Sequence, residues 1–242
     1  MSNSAIRLLA VDDVAMNLMM LSELLGAAGF VVDTATTASE GLALARENTY
    51  ALLLLDIQLP DFNGDVLLQR LRADSAANSV ASPAFALTGE LSHELSASLA
   101  QCGFAQVFAK PWSASALVAA VQQAAGIGAV AQLATHPASD FGDLLFDRAQ
   151  ALKTTGGDEK LMLKLRAMLV AELKTKGPAL RIAFDNQDFI ALSESRHKLA
   201  GAAGFTGAFK LVTALEQLKS EPAKKTMAAV ESAIAAIIAR LN

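Results

Sequence analysis

Two hydrophobic rhythms run along this chain, and one gives way to the other near the middle. In the first half, short apolar runs alternate with longer stretches of helical spacing. Residues 6–11, 30–35, 51–55, 83–87 and 105–109 read as five strands. Helical patterns cover residues 14–28, 39–47, 64–73, 92–102 and 113–125. The run Ala51-Leu52-Leu53-Leu54-Leu55 is apolar throughout, as in a strand buried on both faces. Strands alternating with helices predict an α/β fold, a five-stranded, doubly wound parallel sheet.

From residue 140 onward the strand rhythm does not return. Helices are expected over 161–175, over 178–186 with Pro178 in the first turn, and from an Asp188 cap through His197 to about Ala203. Two more follow over 207–219 and 222–241. Short connections between such helices favour an antiparallel bundle, an all-α domain. Residues 126–139 carry no period, and Gly126-Ile127-Gly128 breaks the preceding helix. The expected organisation is a domain over 1–125, a linker over 126–139 and a helical bundle over 140–242.

The polar residues of the first half gather in one kind of place. Asp12, Asp13, Asp56, Thr88 and Lys110 all stand where a predicted strand ends. Right-handed crossovers bring those ends to one edge of the sheet, where open α/β sheets place their chemistry. Three crowded carboxylates raise one another's pKa, and a hard divalent cation such as Mg²⁺ relieves them. Such a site suits a carboxylate nucleophile attacking phosphorus, with Mg²⁺ and Lys110 holding phosphoryl oxygens. Taken alone, Asp56 could equally cap the turn that follows it.

In the second half the informative stretch is Arg196-His197-Lys198-Leu199-Ala200-Gly201-Ala202-Ala203-Gly204. At about 100° per residue, Leu192, Leu199 and Ala203 share one face and His197 points nearly opposite, toward solvent. Gly201 lies one turn beyond His197 on its own face. Glycines inside a helix weaken it and often mark a place where another surface comes close. A lone histidine is usually idle, and the glycines could serve helix packing alone. His93 and His136 read as surface residues. The first helix has its own pattern: Met20, Leu21, Leu24 and Leu25 gather on a packing face. Ala15, Met19, Ser22 and Gly26 look outward, with Leu18 at the flank.

Composition narrows the function. An apolar content of 53% in 242 residues suffices for real cores, and a net charge of −4 argues against a nucleic-acid partner. No basic DNA-reading helix follows the first domain. Residues 1–125 hold 5 Lys+Arg and 12 Asp+Glu, a net of −7, and the rest hold 15 and 12, a net of +3. Opposite signs favour encounter between the two kinds of surface. One cysteine excludes an internal disulfide framework. No signal peptide or membrane-spanning run is legible, so the expectation is a cytoplasmic protein without a membrane partner.

Val11-Asp12-Asp13, Leu55-Asp56-Ile57-Gln58-Leu59-Pro60 with Gly64, Leu87-Thr88-Gly89 and Phe108-Ala109-Lys110-Pro111 together resemble the response-regulator receiver domain, of flavodoxin-like fold. The resemblance implies that Asp56 accepts a phosphoryl group from a phosphohistidine. It also implies that Asp12, Asp13, Asp56 and the backbone carbonyl of Gln58 hold Mg²⁺. Thr88 would contact the phosphoryl group, and Phe108 would be a switch aromatic. Asn17 is similar to a residue of receivers attached to or served by hybrid kinases. Such receivers dock helical histidine domains beside the first helix, here at Leu18 and Met19. The stretch around His197 resembles the histidine phosphotransfer (HPt) domain, whose motif carries over onto His197, Leu199 and Gly201. Gly156-Gly157-Asp158 and Gly207 fit the same layout. Ala200 stands where that family commonly has lysine, and the adjacent Lys198 is an imperfect substitute.

The two resemblances imply a phosphorelay carrier rather than an enzyme in its own right. With no kinase ATP-binding domain legible, the expected partner is a histidine kinase or hybrid kinase, with another receiver possible downstream. Two competing readings stay open. One is a receiver switch whose degenerate HPt-like bundle only docks or regulates. The other is a metal-dependent phosphohydrolase.

Overall fold

The computed structural model describes residues 6–127 and 145–241. The expected linker lies outside the described residues from residue 128 onward, as does His136. The chain forms two compact units, residues 1–133 and 134–242.

Five strands and five helices alternate strictly in the first unit. They are β1 (Arg7–Val11), α1 (Ala15–Ala27), β2 (Val31–Ala35), α2 (Ala38–Glu47), β3 (Leu52–Asp56), α3 (Gly64–Ala73), β4 (Ala84–Thr88), α4 (His93–Gln101), β5 (Gln106–Ala109) and α5 (Ala114–Ala124). All strand pairs are parallel, in the order β2-β1-β3-β4-β5. β3 and β4 are buried along their whole length, which is why the sequence there shows no polar alternation. β2 is an edge strand, half exposed, and carries Asp33 and Thr34. α1 packs with α5, and α2 packs with α3. The Thr37 and Ser92 side chains cap α2 and α4 by accepting from Glu40 and Leu95 amides. α1 buries Met16, Asn17, Leu18, Met20, Leu21 and Leu25. Leu18 therefore belongs to the core rather than to an exposed flank; Met19 is half-buried and Ala15 and Gly26 are exposed.

The second unit is helical: α6 (Arg148–Thr154), α7 (Glu159–Asp185), α8 (Phe189–Thr206), α9 (Phe209–Ser220) and α10 (Lys224–Leu241). α7 packs on α8, α8 on α9, α9 on α10, and α10 back on α7, closing a four-helix bundle. The two helices expected at 161–175 and 178–186 are one. Pro178 sits inside α7 on its exposed side, while Leu169, Leu173, Leu180 and Ala183 continue a single buried stripe past it. A proline forfeits one backbone bond, and here burial on the opposite face outweighs that loss. α6 was not expected. Asp147 caps it by accepting from the Gln150 amide, and the Asp147 amide donates to the Gly207 carbonyl at 2.8 Å. Gly207 ends α8 at φ 72°, and a Cβ there would lie 2.2 Å from the Asp147 carbonyl oxygen. Among the described residues, no helix is long and apolar enough to cross a membrane.

Candidate functional site

The site of the first unit is built from three strand ends. β1 delivers Asp12 and Asp13, β3 ends on Asp56, and the turn after β5 delivers Lys110. Strand register brings Asp56 beside Leu87 and Thr88 beside Ala109. The Lys110 amide donates to the Thr88 carbonyl at 2.6 Å, which fixes the lysine against β4. Its ammonium then donates to Asp12 Oδ2 at 2.6 Å and to Asp56 Oδ2 at 2.7 Å. Asp12 and Asp56 are wholly buried, and the Lys110 side chain is 4% exposed. One cation thus bridges two carboxylates that have no access to bulk water. Asp13, half-buried, completes the cluster: one oxygen from each of Asp12, Asp13 and Asp56 lies within 4.8 Å of the others.

The charges do not balance. Three carboxylates face one ammonium, and burial removes the solvent that would otherwise screen them. Burial first, and the Asp12 charge second, push the Asp56 carboxyl up to about 7 from its ordinary 3.8, against Lys110 and the Gln58 amide. Burial works to lower the Lys110 pKa, but Asp12 and Asp56 together hold it above the usual lysine range. The donor set is all oxygen, anionic and convergent, and it fits a hard divalent cation such as Mg²⁺.

The surrounding residues set the shape. Gly64 opens α3 directly over the end of β3. A Cβ there would lie 2.1 Å from the Asp56 carbonyl oxygen, so only glycine allows the approach. The Gly64 amide closes the loop by donating to the Ile57 carbonyl at 3.1 Å. The Gln58 amide donates to Asp56 Oδ1 at 3.3 Å. Thr88 is buried, but its hydroxyl donates to the Glu90 carbonyl at 2.9 Å and accepts from the Glu90 amide at 3.2 Å. It is engaged in the turn after β4 rather than with Asp56. Phe108 is half-buried, its ring 5.6 Å from that of Phe85.

Two contributors escaped the sequence reading in their roles. Asn17 Nδ2 donates to both Asp12 oxygens, at 3.0 and 3.1 Å. Beyond the receiver resemblance, its one signal was an amide inside an apolar helix face. Asp61, in the loop after β3, accepts from the Ala38 and Ser39 amides and the Ser39 hydroxyl, tying that loop to the start of α2. Burial works to raise the Asp61 pKa, but the Ser39 and Ala38 donors together outweigh it and hold it at about 2.

In the second unit, α8 buries Leu192, Leu199, Ala202, Ala203 and Phe205. His197, Lys198, Ala200, Gly201 and Gly204 are all half-buried. His197 is therefore partly enclosed, not turned fully to solvent as the helical projection alone suggests. His93 is exposed at the start of α4.

Residues 8–122 match the family described as "Response regulator receiver domain". Over 230 residues the chain is 30% identical to "Sensor protein GacS" of Pseudomonas syringae pv. syringae, covering 91% of this chain and 25% of that protein. Over 223 residues it is 30% identical to "Sensor histidine kinase AruS" of Pseudomonas aeruginosa, covering 91% of this chain and 21% of that protein. The chain thus spans about a quarter of the length of these relatives. Among solved structures, a CheY-like response regulator receiver domain protein from Methanospirillum hungatei JF-1 is 29% identical. It covers 51% of this chain and 95% of its own, with a TM-score of 0.47.

Proposed function

Residues 8–122 are a receiver domain of two-component signalling, and from that premise we propose that this protein is a phosphorelay carrier in which Asp56 and His197 each hold a phosphoryl group. The observation that carries the reading is the buried Asp12–Lys110–Asp56 bridge at the strand ends. The reading divides the chain into a receiver over 1–125, a linker over 126–139 and an HPt bundle over 140–242. An Asp56 carboxylate oxygen forms a bond to phosphorus as the P–N bond of a phosphohistidine breaks, and the electron pair stays on the imidazole nitrogen. Return of the phosphoryl group to an imidazole, that of His197, reverses the same exchange. Lys110 stands where it meets phosphoryl oxygens as well as Asp56. Thr88 serves the phosphoryl group by turning its hydroxyl away from Glu90, and Phe108 follows that movement. Asp12, Asp13, Asp56 and the Gln58 carbonyl hold Mg²⁺, which supplies positive charge to the phosphoryl oxygens when bound.

Three observations support the HPt half. α8 carries His197 on a face with Gly201, the helix is one of four in a closed bundle, and Leu199 anchors it with no exposure. The partner is a histidine kinase or hybrid kinase, in keeping with relatives that are named sensor histidine kinases and align across both units. Another receiver could take the phosphoryl group onward. Ala200, beside His197, favours one other reading, in which the bundle docks a partner but holds no phosphate. The deciding experiment incubates the full chain with a phosphorylated histidine kinase and maps the label. Acid-labile label on His197 and base-labile label on Asp56 are expected. Label on Asp56 alone would leave the bundle as a docking module, and label on neither would end the relay reading.

A further inference from the structure

Asn17 is wholly buried on α1, among the buried apolar residues Met16, Leu18, Met20 and Leu21. Its amide nitrogen straddles the Asp12 carboxylate, 3.0 Å from Oδ1 and 3.1 Å from Oδ2. Asp12 Oδ1 also accepts from the Val14 amide at 2.9 Å, and Oδ2 from Lys110 at 2.6 Å. The carboxylate is held at both oxygens and cannot rotate without losing donors on each. The opposite end of the same side chain is unspent. Asn17 Oδ1 is buried and accepts no hydrogen bond within the protein. A buried acceptor without a donor is a cost that an apolar side chain would avoid. The amide is therefore kept for something other than packing.

We propose that Asn17 is a positioning residue of the phosphoryl-transfer site, with two separable tasks. Its Nδ2 locks the Asp12 carboxylate so that Oδ2 shares Lys110 with Asp56. Its Oδ1 accepts a hydrogen bond from a water in the hydration shell of a divalent cation held by the cluster. The inference rests on the reading of Asp56 as the phosphoacceptor. It goes beyond that reading by giving the electrostatic balance of the site to a neutral residue that touches neither Asp56 nor Lys110 by any hydrogen bond described.

The test compares Asn17→Ala, which removes donor and acceptor, with Asn17→Asp, which keeps the shape and an acceptor but removes the donor. The 242-residue chain is titrated with Mg²⁺ by calorimetry, and Asp56 phosphorylation is followed with acetyl phosphate at saturating Mg²⁺. Loss of an outer-shell partner of a metal site costs about 10–100-fold. Asn17→Ala is expected to weaken Mg²⁺ binding and lower the maximal phosphorylation rate by about 10-fold each. Half-saturation by acetyl phosphate should stay unchanged. Asn17→Asp is expected to retain Mg²⁺ affinity and lose the rate. Folded variants with wild-type Mg²⁺ affinity and rate would overturn the inference, as would variants that lose only thermal stability. If Asn17→Ala does not fold, wild-type rates in Asn17→Asp alone suffice to overturn it. Failure of the wild-type chain to take phosphate would instead remove the phosphoacceptor reading, and this inference with it.

Discussion

The Lys110 ammonium lies 2.7 Å from Asp56 Oδ2, and both side chains are shut away from solvent. They are 54 residues apart in sequence and meet because β3 and β5 flank β4 in register. Removing the lysine strands two buried carboxylates, since Asp12 shares the same ammonium. Lys110→Met should cost stability on the order of 3–5 kcal/mol, the usual penalty for breaking a buried pair. Urea unfolding of the full chain without divalent cations measures it, and excess Mg²⁺ should recover part of the loss. Wild-type stability in this variant would mean that solvent reaches the pair.

The pH dependence follows from Asp56. Its folded pKa, about 7, is raised above the ordinary 3.8, so the native state binds the proton more tightly than the unfolded chain. The stability tied to this group is complete below about pH 4 and is lost as pH rises through 7. Without Mg²⁺, the wild-type minus Asp56→Asn difference in stability should fall steadily from pH 4 to pH 8. The variant should be the more stable of the two at pH 8, and it should take no phosphoryl group. A flat difference would show that Asp56 is ionised in the fold at no cost.

Two glycines should answer an alanine in opposite ways. At Gly64 a Cβ would meet the Asp56 carbonyl oxygen at 2.1 Å, so Gly64→Ala must displace the loop that holds Asp56. A loss of about 1–3 kcal/mol is expected, with slower phosphorylation. At Gly26, on the exposed side of α1, nothing lies within 4 Å of the added carbon. Gly26→Ala should therefore stabilise by up to about 1 kcal/mol. Thermal melts of the two variants against wild type check both signs.

Met19, half-buried on α1, the helix that follows Asp12 and Asp13, and one turn beyond exposed Ala15, offers an adaptable apolar contact. Met19→Glu should slow phosphotransfer from a protein histidine donor by about 10-fold or more while leaving phosphorylation by acetyl phosphate unchanged. Equal slowing with both donors would indicate a damaged site instead of a docking surface. Leu18, being buried, should respond to the same change by losing stability.

Ala200→Lys should lengthen the lifetime of phosphate on His197 or speed its transfer, since a cation one turn away stabilises phosphoryl charge. His197→Gln should pass no phosphate through the bundle. Unchanged rates and lifetimes in Ala200→Lys would show that the alanine is no handicap.

Much of this was legible in one dimension. Five apolar runs announced the parallel strands, and the polar residues Asp12, Asp56, Thr88 and Lys110 closing four of them announced one chemical edge, because a strand buried on both faces stops where a polar side chain must find a partner or water. Asp188 marked the start of α8 because a cap is a local bond, and the structure shows it accepting from the Ala191 amide. Pro178 misled, because the cost of a proline is local while the buried stripe that outweighs it is not. α6 was invisible, since seven residues need the Gly207 carbonyl and the Phe205 carbonyl, which accepts from Thr154 at 2.9 Å, to hold them in place.

The sequence by itself determined which residues could carry chemistry and which faces had to be buried, because charge, period and turn chemistry are properties of short segments. Only the tertiary structure decided which of these residues act on one another. The order β2-β1-β3-β4-β5 set Lys110 between two carboxylates, and an amide five residues beyond Asp12 became its clamp. Such pairings depend on strand order, helix rotation and the exclusion of water. Those arise when the whole domain packs, so no single segment encodes them.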